Sequence, residues 1–178
     1  MLLHVADELK FLTRPFGASS GQPIDADPGF RVPALSPDGR YMAYMGTGAT
    51  SGSLLIAETG TTGTARNALD IGSRAAFAWS PQGGDLAVAD QQNDNAPTFN
   101  RLRVVPGDSG SIKTVAEGRI IAFYWSTNGK MLAWAGLDGG NRDFVWWAAA
   151  VEGGEVRELL RAQPSNDMLV TLSFFDQY

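Results

Sequence analysis

A pattern that recurs at nearly constant spacing constrains the fold of this chain more than any other feature. Three short segments each contain a serine, and these serines, Ser36, Ser80 and Ser126, are 44 and 46 residues apart. Each serine is followed by glycine after three residues, by Met or Leu after six and by alanine after seven. Repeats of about 20–50 residues are typical of solenoids and propellers, in which every repeat is one supersecondary unit.

The repeated residues have the chemistry of a tight hairpin turn. Ser36 suits the first turn position, Pro37 presets φ for the second, Asp38 tolerates the third and Gly39 closes the turn. The equivalent residues in the other two segments are Ser80, Pro81 and Gly83, then Ser126 and Gly129. Apolar stretches flank each turn and a second hairpin follows, so each unit is predicted to hold four short strands, a to d.

The predicted fold is therefore all-β: a β-propeller or partial propeller of about four blades, each with four antiparallel strands. We predict one domain over residues 1–178, with its blades at approximately 28–70, 71–116, 117–162, and 1–27 together with 167–178. In the last of these blades, residues 2–24 supply strands b, c and d, and residues 168–175 supply strand a.

Two arrangements would pair residues 168–175 with residues 2–6. Pairing within one chain closes a ring of four blades, whereas pairing with a second chain gives a two-fold symmetric ring of about eight blades. The plainer alternative is that the chain is part of a longer propeller. A four-bladed ring is tight, and this slightly favours a homodimer through terminal strand exchange, or a longer native chain.

The segment Trp79-Ser80-Pro81-Gln82-Gly83 resembles the TolB-type, WD-like propeller repeats of TolB and of prolyl oligopeptidase-like peptidases. This chain departs from the family pattern where Leu35 replaces the Trp, Gln82 the Asp, and Thr127-Asn128 the Pro-Asp. The resemblance implies a rigid disc that contacts proteins or covers a separate catalytic domain.

No catalytic residue is predicted. The stretch Gly107-Asp108-Ser109-Gly110 is similar to the nucleophile segment of trypsin-like proteases, which also require a His base and an orienting Asp. The single histidine, His4, lies in a short predicted strand without such partners, and Ser109 lies where the repeat requires a turn.

No cofactor or metal site is predicted either. One His excludes multi-His metal sites. The acidic loops 90–95 and 138–143 lack the calcium pattern of the EF-hand, and Arg142 would place a positive charge beside the ion. The glycine-rich stretches 46–48 and 60–63 lack the Lys-Ser/Thr of a phosphate-binding loop.

Charge and hydropathy limit the classes of partner. There are 14 basic against 19 acidic residues, a net charge of −5, and the basic residues are scattered, so nucleic acid is not expected. The longest apolar run, residues 144–151, is too short for membrane insertion. No signal peptide is recognised, so the expected location is cytoplasmic by default, with an exported parent protein as the alternative.

The predicted function is a non-enzymatic scaffold that mediates protein–protein interaction. One alternative is the accessory domain of a larger serine hydrolase, and another is a propeller that binds a small molecule or glycan. Trp146 and Trp147 are neighbours on a predicted strand and must face opposite sides, so one is expected to pack between blades and the other to be exposed. Because aromatic residues are enriched in interfaces, this pair is the candidate interaction surface. Trp79 and Trp125 are predicted to lie in the cores between blades.

Overall fold

The computed structural model describes the strand segments 2–5, 8–13 and 22–24 and residues 33–46, 52–60, 65–71, 74–91, 98–138 and 143–163. These residues form β1 (Leu2–Val5), β2 (Glu8–Thr13), β3 (Gln22–Ile24), β4 (Ala34–Leu35), β5 (Tyr41–Met45), β6 (Ser53–Glu58) and β7 (Arg66–Asp70). The later strands are β8 (Ala75–Trp79), β9 (Asp85–Asp90), β10 (Phe99–Pro106), β11 (Lys113–Trp125), β12 (Met131–Leu137), β13 (Phe144–Ala150) and β14 (Arg157–Ala162). Within these ranges no helix is long and apolar enough to cross a membrane.

The strands form three antiparallel sheets in which every strand pairs with its neighbours in sequence. The sheets are β1–β3, β4–β7 and the seven strands β8–β14. We call β1–β3 blade 1, β4–β7 blade 2, β8–β10 with the start of β11 blade 3, and the rest of β11 with β12–β14 blade 4. The predicted all-β, antiparallel fold is confirmed. Residues 168–175, which were predicted to pair with residues 2–6, lie outside the described residues.

Strand β11 joins two blades without a break. Its first half pairs with β10, where Leu102 faces Ala116, and its second half pairs with β12, where Trp125 faces Leu132. The sequence suggested two strands here, divided after residue 116. No turn-forming pair interrupts this stretch, and Gly118 takes a φ of 135°, which lets the strand bend and change partners while it continues.

In the first and third repeats, the turn is held by the serine and by the side chain two positions later. The Ser36 hydroxyl donates to Asp38 Oδ1 at 2.6 Å and accepts from the Tyr41 amide at 2.9 Å. The third repeat copies this arrangement, with the Ser126 hydroxyl 2.7 Å from Asn128 Oδ1. The hydrogen bond from Ser36 holds the pKa of Asp38 below its ordinary value, against a smaller opposing effect of burial.

We expect Asn128→Asp to raise the urea midpoint at neutral pH. The new carboxylate would accept the two hydrogen bonds that Asn128 accepts, from the Ser126 hydroxyl and the Lys130 amide, and charged acceptors bond more strongly. Because these bonds depress the folded-state pKa, the gain is present above the unfolded pKa and is lost as pH falls through the folded pKa. Urea titrations at neutral and acidic pH measure this, with Ser126→Ala as the background in which the gain shrinks. Equal midpoints at neutral pH would contradict it.

The turns of successive blades also pack against one another. A Cβ at Gly83 would lie 2.5 Å from Asp38 Cγ, and one at Gly129 would lie 2.5 Å from Ser80 Oγ. Both glycines have φ near 70°, at 73° and 68°. Glycine at this position therefore serves the turn itself and the close approach of the preceding blade.

Two cores fill the spaces between blades 2 and 3 and between blades 3 and 4. Alternation along β9 divides its side chains between them: Leu86 and Val88 join the first core, and Ala87 and Ala89 join the second. All four are fully buried. Blade 3 is thus covered on both faces, as expected for an internal blade of a propeller.

Candidate interaction surface

The structure places the two neighbouring tryptophans of β13 in different surroundings. Trp147 stacks on Trp134, with ring centroids 6.3 Å apart, and packs against the core between blades 3 and 4. Trp146 lies on the opposite side of the sheet and stacks on Tyr124 at 5.8 Å. Of the predicted pair, only Trp146 faces away from blade 3, and the sequence could not tell which of the two this would be.

An exposed apolar surface surrounds Trp146. Tyr124 is 58% exposed and Leu160, the cross-strand neighbour of Trp146, is 57% exposed. Met131 belongs to the same side of the sheet and is 37% exposed. We call these four residues the blade-4 face.

In blade 3, the position equivalent to Trp146 is covered by the next blade. Leu102 lies opposite Ala89 in β9, just as Trp146 lies opposite Ala135 in β12, so the two residues occupy equivalent positions. Blade 4 buries Leu102 completely, whereas Trp146 is only half-buried. The blade-4 face therefore has the side chains of a blade interface but is not covered as one in the described structure.

Hydrogen bonds that sequence reasoning missed link the blades along their innermost strands. Trp79 Nε1 donates to the carbonyl oxygen of Ala34 at 2.8 Å, and Trp125 Nε1 donates to that of Ala78 at 3.0 Å. Each indole joins its own blade to the preceding one. Trp79 is buried as predicted, while Trp125 packs against the second core but stays partly exposed.

The residue at the Trp position of blade 2 cannot make this link. Leu35 is 56% exposed and has no side-chain N–H group. The spacing of Trp79 and Trp125 could have indicated a repeated inter-blade contact, but the carbonyl acceptor becomes evident only in three dimensions.

Hydrogen bonds from Arg66 hold the turn that contains Ser109. Arg66 Nη2 donates to the Gly107 carbonyl at 3.1 Å and also to the carbonyls of Pro106 and Asp108. Asp108 Oδ1 accepts from the Gly110 amide at 2.9 Å, so it closes its own turn. Ser109 is exposed in this turn, which connects β10 to β11, and the side chain of His4 is outside the described residues.

Arginines pair with the carboxylates of the two acidic loops. Asp90 is fully buried between Arg101 and Arg103, at 2.6 and 2.9 Å. Arg161 contacts Asp138 at 2.5 Å and Asp143 at 3.1 Å.

Arg161 also pairs with Glu158 at 2.8 Å, and its carboxylate partners together raise the pKa of the guanidinium. In the part of the chain that the structure describes, no group of three or more His, Cys, Asp or Glu residues could hold a metal ion. Residues 92–97 and 139–142 of the acidic loops lie outside that part.

Comparison with known proteins rests on structure. No protein-family model matches the chain, and no curated protein sequence matches it. TolB from Acinetobacter baumannii superposes with a TM-score of 0.58 at 14% identity, over 92% of this chain and 41% of its own. A protein from Agrobacterium tumefaciens described as TolB gives a TM-score of 0.57 at 20% identity, over 90% and 57%.

A third solved structure, a variant of the AtxE2 isopeptidase with Astexin3-dC4 bound, gives a TM-score of 0.50 at 16% identity. It matches over 79% of this chain and 29% of its own length. This chain thus spans less than two thirds of each of these proteins. The resemblance seen in the repeated turns is confirmed at the level of the fold, and the described sheets form a partial, TolB-like β-propeller.

Proposed function

We propose that the protein is a non-enzymatic propeller scaffold that binds a protein partner through the blade-4 face. The observation that carries this proposal is the contrast between Leu102, fully buried, and its counterpart Trp146, which is half-buried beside exposed Tyr124 and Leu160. Contiguous exposed apolar patches mark interaction sites, and aromatic side chains are enriched in them.

The surroundings of the polar groups support a binding role over catalysis. Asp90 and Asp143 are buried and paired with arginines, and Asp108 closes a turn. A general acid or base needs a carboxyl or imidazole placed to exchange protons with a substrate, and a paired, desolvated carboxylate is poorly suited to that task. These arrangements favour a structural role for all three.

The second candidate is an accessory propeller of a larger hydrolase. The superposition on the AtxE2 isopeptidase, of which this chain spans 29%, favours it. In that case the partner at the blade-4 face would be another part of the same polypeptide.

A photoreactive residue on the blade-4 face tests the proposal. We expect p-benzoyl-L-phenylalanine at position 160 to form adducts with a protein partner when irradiated in the cells that produce the protein. The matched control is the same probe at position 35, because Leu35 is as exposed, at 56% against 57%, but lies in blade 2. Adducts of equal yield from both positions, or none from position 160 in a correctly folded variant, would contradict the proposal.

A further inference from the structure

Blades 2, 3 and 4 each begin their outermost strand with a basic residue. These residues are Arg66, Lys113 and Arg157. In every blade the basic residue pairs with a third-strand residue that itself pairs with the alanine seven positions after the repeated serine. The three sets are Arg66 with Ile56 and Ala43, Lys113 with Val104 and Ala87, and Arg157 with Ala148 and Ala133. The three basic residues therefore occupy equivalent positions.

In blades 2 and 3, this basic residue binds a turn of the structure that covers its blade. Arg66 Nη2 donates to three successive carbonyls at the end of β10, including that of Gly107 at 3.1 Å. Lys113 Nζ lies 3.0 Å from Glu152 Oε2 in the turn after β13. The two turns are alike, because Asp108 and Glu152 each lie two positions after the end of their strand. Both covered blades thus place a cation against a tight turn that carries a carboxylate.

The third member of the series, Arg157, lies beside the blade-4 face. It is exposed, and its side chain makes no hydrogen bond or ion pair with the described residues. Its pairing with Ala148 places it on the same side of the sheet as Trp146. Glu158 is the only acidic residue in strands β12–β14, and it pairs with Trp147 and so lies on the other side. The exposed side of blade 4 therefore combines apolar side chains with a positive charge and offers no carboxylate from these strands.

We propose that Arg157 binds a tight turn with an Asp or Glu side chain on the protein partner that covers the blade-4 face. A guanidinium forms charge-assisted hydrogen bonds with a carboxylate, and the carbonyls of a turn are further acceptors, as they are for Arg66. A second copy docked through the same face would bring no such carboxylate to Arg157, so the partner is a different protein. The inference deepens the proposed function and rests on it, because this partner also meets Trp146 and Leu160.

Charge variants combined with the photoreactive residue at position 160 test the inference in the cells that produce the protein. We expect Arg157→Glu to lower the adduct yield by about ten-fold or more, because like charges placed together at an interface are strongly unfavourable. Arg157→Lys should keep most of the yield, since Lys113 shows that an ammonium group serves at this position. The matched control is Arg74→Glu, which changes the net charge equally at an exposed arginine of blade 3. Equal urea midpoints for the purified variants would show that the substitutions leave the fold intact.

Mass spectrometry of the adduct provides the second measurement. We expect the crosslinked peptide to come from another protein and to contain an Asp or Glu residue in a turn. An adduct with this same chain, or a yield that Arg157→Glu lowers no more than Arg74→Glu does, would overturn the inference. In the latter case the adduct from position 160 persists and the proposed function stands, whereas the absence of any adduct from position 160 would overturn both.

Discussion

Replacing Trp79 with alanine is expected to lower the free energy of unfolding by about 3–5 kcal/mol, the usual range for removing a large aromatic side chain from a core. Trp79 is only 8% exposed and stacks on Tyr41 with ring centroids 6.0 Å apart. Its indole N–H also supplies the link to Ala34. The substitution therefore removes packing and a hydrogen bond between blades 2 and 3 at one position, and urea denaturation followed by circular dichroism measures the loss.

Two further variants divide this effect into its parts. Trp79→Phe keeps an aromatic ring but removes the donor, so we expect a loss of about 1–2 kcal/mol. Trp125→Ala should cost less than Trp79→Ala, because Trp125 makes the same kind of hydrogen bond but is less buried. If Trp125→Ala lowers the free energy of unfolding more than Trp79→Ala does, burial of the indole is not the main source of the stabilisation at the blade boundary.

Gly136→Ala is expected to destabilise the protein by about 3 kcal/mol or more, at the upper end of the range for overpacked sites. A methyl group at this buried glycine would overlap the carbonyl oxygen of Arg119 and lie 3.1 Å from the Trp147 ring. The overlapping atom belongs to the backbone, so no side-chain rotation can relieve the clash. Strands β11 and β12 would have to separate where Ile120 pairs with Gly136.

Gly60→Ala is the matched control for this substitution. Gly60 is exposed, with a φ of 79°, and an added Cβ would meet nothing within 4 Å. It should cost about 1 kcal/mol, from backbone strain alone. Urea midpoints for the two variants give the comparison. Equal losses of unfolding free energy would mean that strands β11 and β12 separate at Gly136 without further cost.

The repeated turns made the fold class predictable, because their geometry depends on nearby residues. Ser36 contacts Asp38 and Tyr41, all within six positions, and the same chemistry appears again near Ser126. The continuity of β11 was less evident, since whether a strand stops or bends at Gly118 depends on the partners available on each side. Local composition does not carry that information.

The candidate surface was predictable only in part. Adjacent tryptophans must face opposite sides of a strand. Which of these sides a neighbouring blade covers depends on contacts with residues about 45 positions away in the sequence. Two polar contacts join residues from different strands. Arg66 donates to the turn after Pro106, and Asp90 pairs with Arg103. In the sequence, Asp90 reads as part of a polar loop, whereas the fold buries it.

The unbroken course of β11 predicts that blades 3 and 4 unfold as a single cooperative unit. Hydrogen exchange usually reveals contiguous segments that open together, and two blades that share one strand cannot open independently without breaking it. Amides of β9 and β12 should therefore become exposed with the same free energy, even though they belong to different repeats. For these two blades, we expect the unit that unfolds to be larger than the repeating unit of the sequence.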